Sequence, residues 1–243
     1  MPIRTRQWLF LLGALALVLT ASMRRVWALT QQRPGSPATV ADRVKQYGAV
    51  VRARLLPHFA RVGVTYPPRA VALVGLKSER RVEVWVSGDG VKFQLLTNYP
   101  IRAASGGAGP KLREGDRQVP EGLYRIESLN PNSLYHLSLR VNYPNDFDRR
   151  QAAGEGRTRL GGDIMIHGSD VSIGCLALGD AAAEDLFVLA AETGLKHVEV
   201  ILAPVDFRVR ALPADTKPLP AWAPELYAAL KRALARLPVA ASK

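Results

Sequence analysis

Asp163-Ile164-Met165-Ile166-His167-Gly168-Ser169-Asp170-Val171-Ser172-Ile173-Gly174-Cys175 is the stretch on which the reading of this chain turns. Asp163–His167 has the residue types of a short β-strand, and Gly168 breaks it. A polar excursion follows, and eight positions after the histidine it reaches the one cysteine in 243 residues. Beyond it, Asp180 is placed to cap a helix over Ala181–Thr193 that Gly194 ends. Strand, tight excursion and helix in immediate succession place the segment in a β-rich domain carrying helices.

The same stretch carries chemistry. A thiol attacks a carbonyl carbon only as its thiolate, and a nearby imidazole is the usual group that takes its proton. The spacing permits a cysteine–histidine acyl-transfer site, with Cys175 as nucleophile and His167 as base. Glycine lets the backbone turn sharply and a substrate approach the main chain, which suits Gly168 and Gly174. The N–H groups around Gly174 and Cys175 are candidates for an oxyanion hole. Ser172 has two readings, as hydrogen-bonding support for the pair or as the cap of the turn. A lone cysteine is ordinarily a small buried hydrophobe, but the glycine, the polar neighbours and the histidine favour use. An activated thiol of this kind is expected to alkylate rapidly near neutral pH.

Outward from this segment, short strand patterns recur at Ala70–Leu76, Arg81–Val86, Val91–Thr97, Gly122–Glu127, His136–Asn142 and His197–Leu202. Apolar positions at helical spacing mark an amphipathic helix over Ala41–Phe59 and a last helix over Pro224–Leu237, with Leu226, Leu230, Leu234 and Leu237 on one stripe. The fold class is therefore mainly β with helical additions. Ser105-Gly106-Gly107-Ala108-Gly109-Pro110 lacks the Lys-Ser/Thr ending of a phosphate-binding loop and reads as a flexible connection. Asp146–Asp148 with Arg149 and Arg150 reads as a solvated loop. His58 and His197 have no ligand-spaced partners, so neither a metal site nor a cofactor is expected.

Residues 1–28 are a different object: Arg4 and Arg6 precede an apolar run, residues 8–23, and Arg24-Arg25 follow it. This is the plan of an export signal, with a small-residue cleavage site at Val26-Trp27-Ala28; a retained membrane anchor through residues 8–23 is the other reading. Either way the rest of the chain is expected outside the cytoplasm, in the periplasm or cell envelope. The expected division is a signal or anchor at 1–28, a linker and amphipathic helix at 29–68, a catalytic domain at 69–210, and a linker and helix at 211–243. The formal charge is +12, of which the four arginines of residues 1–28 account for four, leaving +8. In an exported chain nucleic acid is excluded as a partner, and an anionic envelope polymer or membrane surface fits that charge better.

At these residues the sequence resembles the YkuD-type L,D-transpeptidase catalytic domain, in its YafK-like branch. Gly109-Pro110-Lys111-Leu112-Arg113-Glu114-Gly115-Asp116, Pro120-Glu121-Gly122-Leu123-Tyr124-Arg125-Ile126, Leu129–Ser138 with Tyr143-Pro144-Asn145, and the histidine–cysteine segment carry the resemblance in order. It implies a β-sandwich-like catalytic domain acting on peptidoglycan stem peptides, with Cys175 as nucleophile, His167 as base and then acid, and Gly174 and Ser172 as motif residues. His136, Tyr143 and Asn145 either line the substrate groove or pack structurally. The sequence departs from the common pattern at Ile173 and at Leu176-Ala177-Leu178, where a histidine and a polar residue are usual. Transpeptidation, hydrolysis releasing a wall-attached protein or a stem-peptide residue, and a non-catalytic wall-binding module are the three functional readings.

Overall fold

Strand β1 (Ala70–Leu76) is almost continuously apolar because both of its faces are covered. Val71 and Leu73 face one hydrophobic cluster, while Ala72, Val74 and Leu76 face a second on the opposite side. This computed structural model describes residues 37–213, 216 and 218–239, so the signal or anchor expected at 1–28, including residues 8–23, lies outside the described residues. Among the described residues no helix is long and apolar enough to cross a membrane.

The remaining strands are β2 (Arg81–Ser87), β3 (Gln94–Pro100), β4 (Gly122–Ser133), β5 (His136–Val141), β6 (Met165–His167), β7 (Leu176–Ala177) and β8 (Val198–Ala203). They form one mixed sheet of eight strands in the order β3-β2-β1-β8-β4-β5-β6-β7. β1 pairs with β8, and β6 with β7, in parallel. The twelve-residue β4 links the two halves: Gly122–Arg125 pair with β8, and the residues from Ile126 onward pair with β5. Register shifts at Ile126/Ser128 and Asn130/Ser133 bend this strand, since an unpaired extra residue increases local twist. The sheet therefore curls there, and β5, β6 and β7 carry the histidine–cysteine segment on the far half.

Among the described residues four α-helices accompany the sheet: α1 (Val40–Val62), α2 (Asp146–Gly154), α3 (Asp180–Thr193) and α4 (Ala223–Ala235). α1 starts with a capping box, in which Thr39 and Asp42 satisfy each other's exposed N–H groups, and ends at Gly63 with φ of +67°. Val51, Leu55 and Phe59 of α1 pack with Leu186, Phe187 and Leu189 of α3 against one face of the sheet. Leu226, Leu230 and Leu234 of α4, with Leu237 just beyond it, cover the other face. Each leucine buried this way contributes roughly 1.5–3 kcal/mol. The fold is mainly β with helical additions, and α1 and α4 belong to the same compact unit as the sheet.

Several boundaries differ from expectation for physical reasons. β3 begins at Gln94 rather than Val91, because the Asp89 carboxylate accepts the N–H groups of Val91 and Lys92 and prolongs the turn. β4 runs six residues past Glu127 because β5 gives it a new partner. The solvated loop expected at Asp146–Arg150 is instead α2, started by a capping box between Asn145 and Asp148. Asp180 does not cap α3: Gly179 holds the cap position, and the Asp180 carboxylate accepts the Ser169 N–H at 2.8 Å.

Candidate active site

β6 ends at His167, and the chain returns after a tight excursion to run parallel beside it. The register pairs Ile166 with Leu176 and His167 with Ala177, which sets Cys175 beside Met165 at the mouth of the pair. Two backbone groups hold the sulfur: the Met165 N–H donates to Sγ at 3.4 Å, and Sγ–H donates to the Asp163 carbonyl at 3.5 Å. No hydrogen bond among the described residues joins Sγ to the imidazole of His167. The register brings the two residues to neighbouring strands, and the sulfur is held by backbone groups in place of the ring.

His167 is 2 % exposed. Its Nδ1 lies 2.6 Å from the Gly168 carbonyl, which can only accept, so Nδ1 carries the proton and Nε2 keeps its lone pair. Burial pushes the imidazole pKa down, partly offset by this hydrogen bond, so the ring is neutral near pH 7. The ring of Tyr135 lies against it, with centroids 4.9 Å apart and planes 33° from parallel. Burial also pushes the Cys175 thiol up; the Met165 N–H opposes this, Asp163 adds to it, and Lys111 opposes it. The resting pair is thus thiol and neutral imidazole, not thiolate and imidazolium. Shifts in these directions lead to slow alkylation at neutral pH as the expected behaviour of the resting pair.

Ser172 bonds the backbone of Cys175. Its Oγ accepts the Cys175 N–H at 2.9 Å and donates to the Cys175 carbonyl at 2.6 Å, capping the turn and clamping the backbone there. That engages one of the two N–H groups expected in an oxyanion hole. The Gly174 N–H has no partner among the described residues, and Gly174 itself has φ of +109°, a conformation that side chains rarely adopt. Gly168 is required by crowding: a Cβ there would sit 2.5 Å from Asp180 Oδ1 and 2.9 Å from the Tyr135 carbonyl.

The other candidates have partners of their own. His136 Nε2 pairs with Glu184 Oε1 at 3.0 Å and its ring meets Tyr47 edge-on at 5.3 Å, tying β5 to α3 and α1. Tyr143 is buried, its hydroxyl donating to the carbonyls of Lys111 and Leu160. Asn145 caps α2 and its Nδ2 donates to the Leu123 carbonyl at 2.9 Å. Among the described residues no three His, Cys, Asp or Glu side chains group as metal ligands. Residues that sequence reasoning passed over are Tyr135, Met165 and Asp163, because two of them act through backbone atoms. The 105–119 loop borders the turn, with the Gln118 carbonyl facing Gly174. It is anchored by Glu121, which accepts the Lys77 ammonium at 2.9 Å and the Gly109 N–H at 2.8 Å.

Comparison with known proteins identifies the family of the chain. The protein YafK of Escherichia coli K12, whose name assigns it provisionally to the L,D-transpeptidases, is 39% identical over 113 residues, covering 46% of this chain and 43% of YafK. The chain thus spans less than half the length of the curated relatives it matches. Among solved structures, the helical cell shape determining protein Pgp2 of Campylobacter jejuni is 26% identical with a TM-score of 0.44, covering 55% of this chain and 47% of that one. Bd1075 of Bdellovibrio bacteriovorus is 23% identical with a TM-score of 0.42, covering 57% and 49%. The family model of the L,D-transpeptidase catalytic domain, YkuD, matches residues 69–201, more than half of the chain, and the chain belongs to that family.

Proposed function

We propose that this chain is an exported acyltransferase of the cell envelope that acts on peptidoglycan stem peptides, with Cys175 as nucleophile and His167 as general base and acid. The observation that carries the reading is the His167–Gly168 hydrogen bond, which leaves Nε2 as an unprotonated base one strand pair from the thiol. In the first step the Sγ proton moves to Nε2 and sulfur bonds to the carbonyl carbon of the third stem residue. The carbon–nitrogen bond then breaks, Nε2 returns the proton to the departing amine, and a thioester remains. Gly174 N–H is the donor available to the oxyanion. A second amine, or water, attacks the thioester; its proton goes to Nε2 and then to the sulfur.

The test is mass spectrometry of tetrapeptide muropeptides incubated with the protein and with Cys175→Ala. Cross-linked dimers or exchanged terminal residues, absent with the variant, support transpeptidation. Tripeptide products alone identify a hydrolase. Unchanged substrate and no acyl adduct on Cys175 would sink the acyl-transfer reading on free stem peptides.

A further inference from the structure

Both backbone groups that hold the Cys175 sulfur are linked to Arg140. Met165 is its cross-strand partner between β5 and β6, and its guanidinium bonds Asp163 Oδ1 at 2.6 Å. A second ion pair joins Arg140 to Glu127 at 3.1 Å. From this point an open cleft of about 590 Å³ runs over the outer side of β4 and β5 to the start of α2. Four arginines line it, Arg125, Arg140, Arg149 and Arg150, against the carboxylates of Glu127 and Asp146.

The positive charge in this cleft is only partly used by the protein itself. Arg140 is matched by its two acids, and Arg149 reaches Asp146 only at 3.5 Å. Arg150 lies 6.0 Å over the Phe147 ring. The Arg125 side chain makes no ion pair or hydrogen bond among the described residues. Guanidinium groups present paired donors that match the two oxygens of a carboxylate, and a concave wall lined with them selects planar anions.

The geometry points to this cleft as a carboxylate-binding subsite for the peptide that occupies the Cys175 site, with the unpaired Arg125 and the exposed Arg149, held only by Asp146 at 3.5 Å, as the recognition groups. The inference rests on the proposed acyl transfer from stem peptides, whose residues carry free carboxylates on both sides of the attacked carbonyl. Arg140, already balanced by Glu127 and Asp163, fixes the wall between subsite and nucleophile and is a positioning residue.

Binding separates the inference from turnover. The full chain carrying Cys175→Ala is titrated calorimetrically with the tetrapeptide L-Ala-γ-D-Glu-diaminopimelate-D-Ala and with versions amidated at one carboxylate at a time. At least one amide is expected to bind tenfold or more weakly than the acid, about 1.4 kcal/mol. Adding Arg125→Ala and Arg149→Ala should erase that difference, while Arg125→Lys, which keeps the charge but not the fork, should erase part of it. Equal binding of acid and amides, or discrimination that survives loss of both arginines, overturns the subsite. Thioester formation on the unsubstituted protein, read by intact mass, shows which idea failed. If the adduct forms and the arginines do not matter, only the subsite falls; if neither peptide binding nor adduct is seen, the acyl-transfer reading falls and takes the subsite with it.

Discussion

The hydrogen bond between His167 Nδ1–H and the Gly168 carbonyl, 2.6 Å long, decides which nitrogen of the ring can act as base. It joins neighbouring residues, so it forms wherever β6 stops at His167 and the chain turns at Gly168. The ring's partner on its other side is Tyr135, which leaves Nε2 without a protein hydrogen-bond partner among the described residues.

The first consequence is a pH profile. His167 is held below its ordinary value of 6.5 and Cys175 above its ordinary value of 9.0, both chiefly by burial. Acyl transfer should therefore rise with pH through a limb lying below 6.5, as the imidazole loses its proton, and stay level through neutrality. Alkylation of free Cys175 by iodoacetamide should be slow at pH 7 and climb only as pH passes 9. Rapid alkylation at pH 6 to 7 would instead reveal a preformed thiolate–imidazolium pair and refute this assignment.

Tyr135 offers a second test, because its stack against His167 depends on a ring and not on a hydroxyl. Tyr135→Phe should keep acyl transfer near that of the parent protein, while Tyr135→Ala should lower kcat by about tenfold or more through a mobile base. The acid limb of the pH profile should move toward 6.5 in Tyr135→Ala, since a more exposed imidazole is less penalised when charged. An unmoved limb would assign Tyr135 a purely structural role.

Gly168 is the third. In Gly168→Ala the new methyl would meet Asp180 Oδ1, the Tyr135 carbonyl and His136 Cβ at 2.5, 2.9 and 3.0 Å. Two of these neighbours are fixed by backbone or by the Ser169–Asp180 bond, so the crowding cannot be relieved by one flexible side chain. Urea denaturation should register a loss of about 1–3 kcal/mol. Activity should fall further than stability predicts, because the displaced peptide carries the carbonyl that orients His167.

Asp148 titrates in an accessible range. Burial raises its carboxyl to about 6 against an ordinary 3.8, with the Asn145 N–H and the Tyr124 hydroxyl pulling the other way. The folded state therefore binds more protons than the unfolded chain between roughly pH 4 and 6, and stability falls as pH rises across that window. Asp148→Asn keeps an acceptor for the capping box and removes the titration. The difference in unfolding free energy between the two proteins should shift by on the order of 3 kcal/mol from pH 4 to pH 7, in favour of the variant at higher pH; no shift would contradict the buried carboxyl.

The strand ending at His167 was legible because its residue types and the glycine after it are local signals, and a chain that turns back within eight residues brings Cys175 to the neighbouring strand. The apolar stripes of α1 and α4 were legible because a helix that covers a sheet needs one continuous face. Other features depend on distant partners. The curl at β4 arises because β8 takes its first residues and β5 takes the rest, which no local pattern in Gly122–Ser133 encodes. Asp180 looks like a cap in isolation, but a loop eleven residues earlier claims its carboxylate. α2 was masked by its charges, although Asn145 and Asp148 already held the spacing of a capping box.

The loop bordering the active turn provides the last test. Glu121 is fully buried and accepts from the Lys77 ammonium, the Gly109 N–H and the Tyr227 hydroxyl, so one carboxylate joins β1, the glycine-rich loop and α4. Glu121→Gln preserves the shape and can still accept from Gly109 or Tyr227, but it leaves the Lys77 cation buried without its counter-charge. Removing one partner of a buried pair costs about 3–5 kcal/mol, whereas replacing both by apolar groups of similar volume is close to neutral. Glu121→Gln should therefore destabilise strongly, and Lys77→Met combined with Glu121→Met should recover much of the loss. The sign with pH is fixed as well. Burial already holds Lys77 below its ordinary 10.5, and loss of the carboxylate lowers it further. The folded variant then binds fewer protons than the unfolded chain, so its deficit should shrink as pH rises toward 10. A deficit that stays constant from pH 7 to 10 would mean that the carboxylate matters for packing the glycine-rich loop and not for neutralising Lys77.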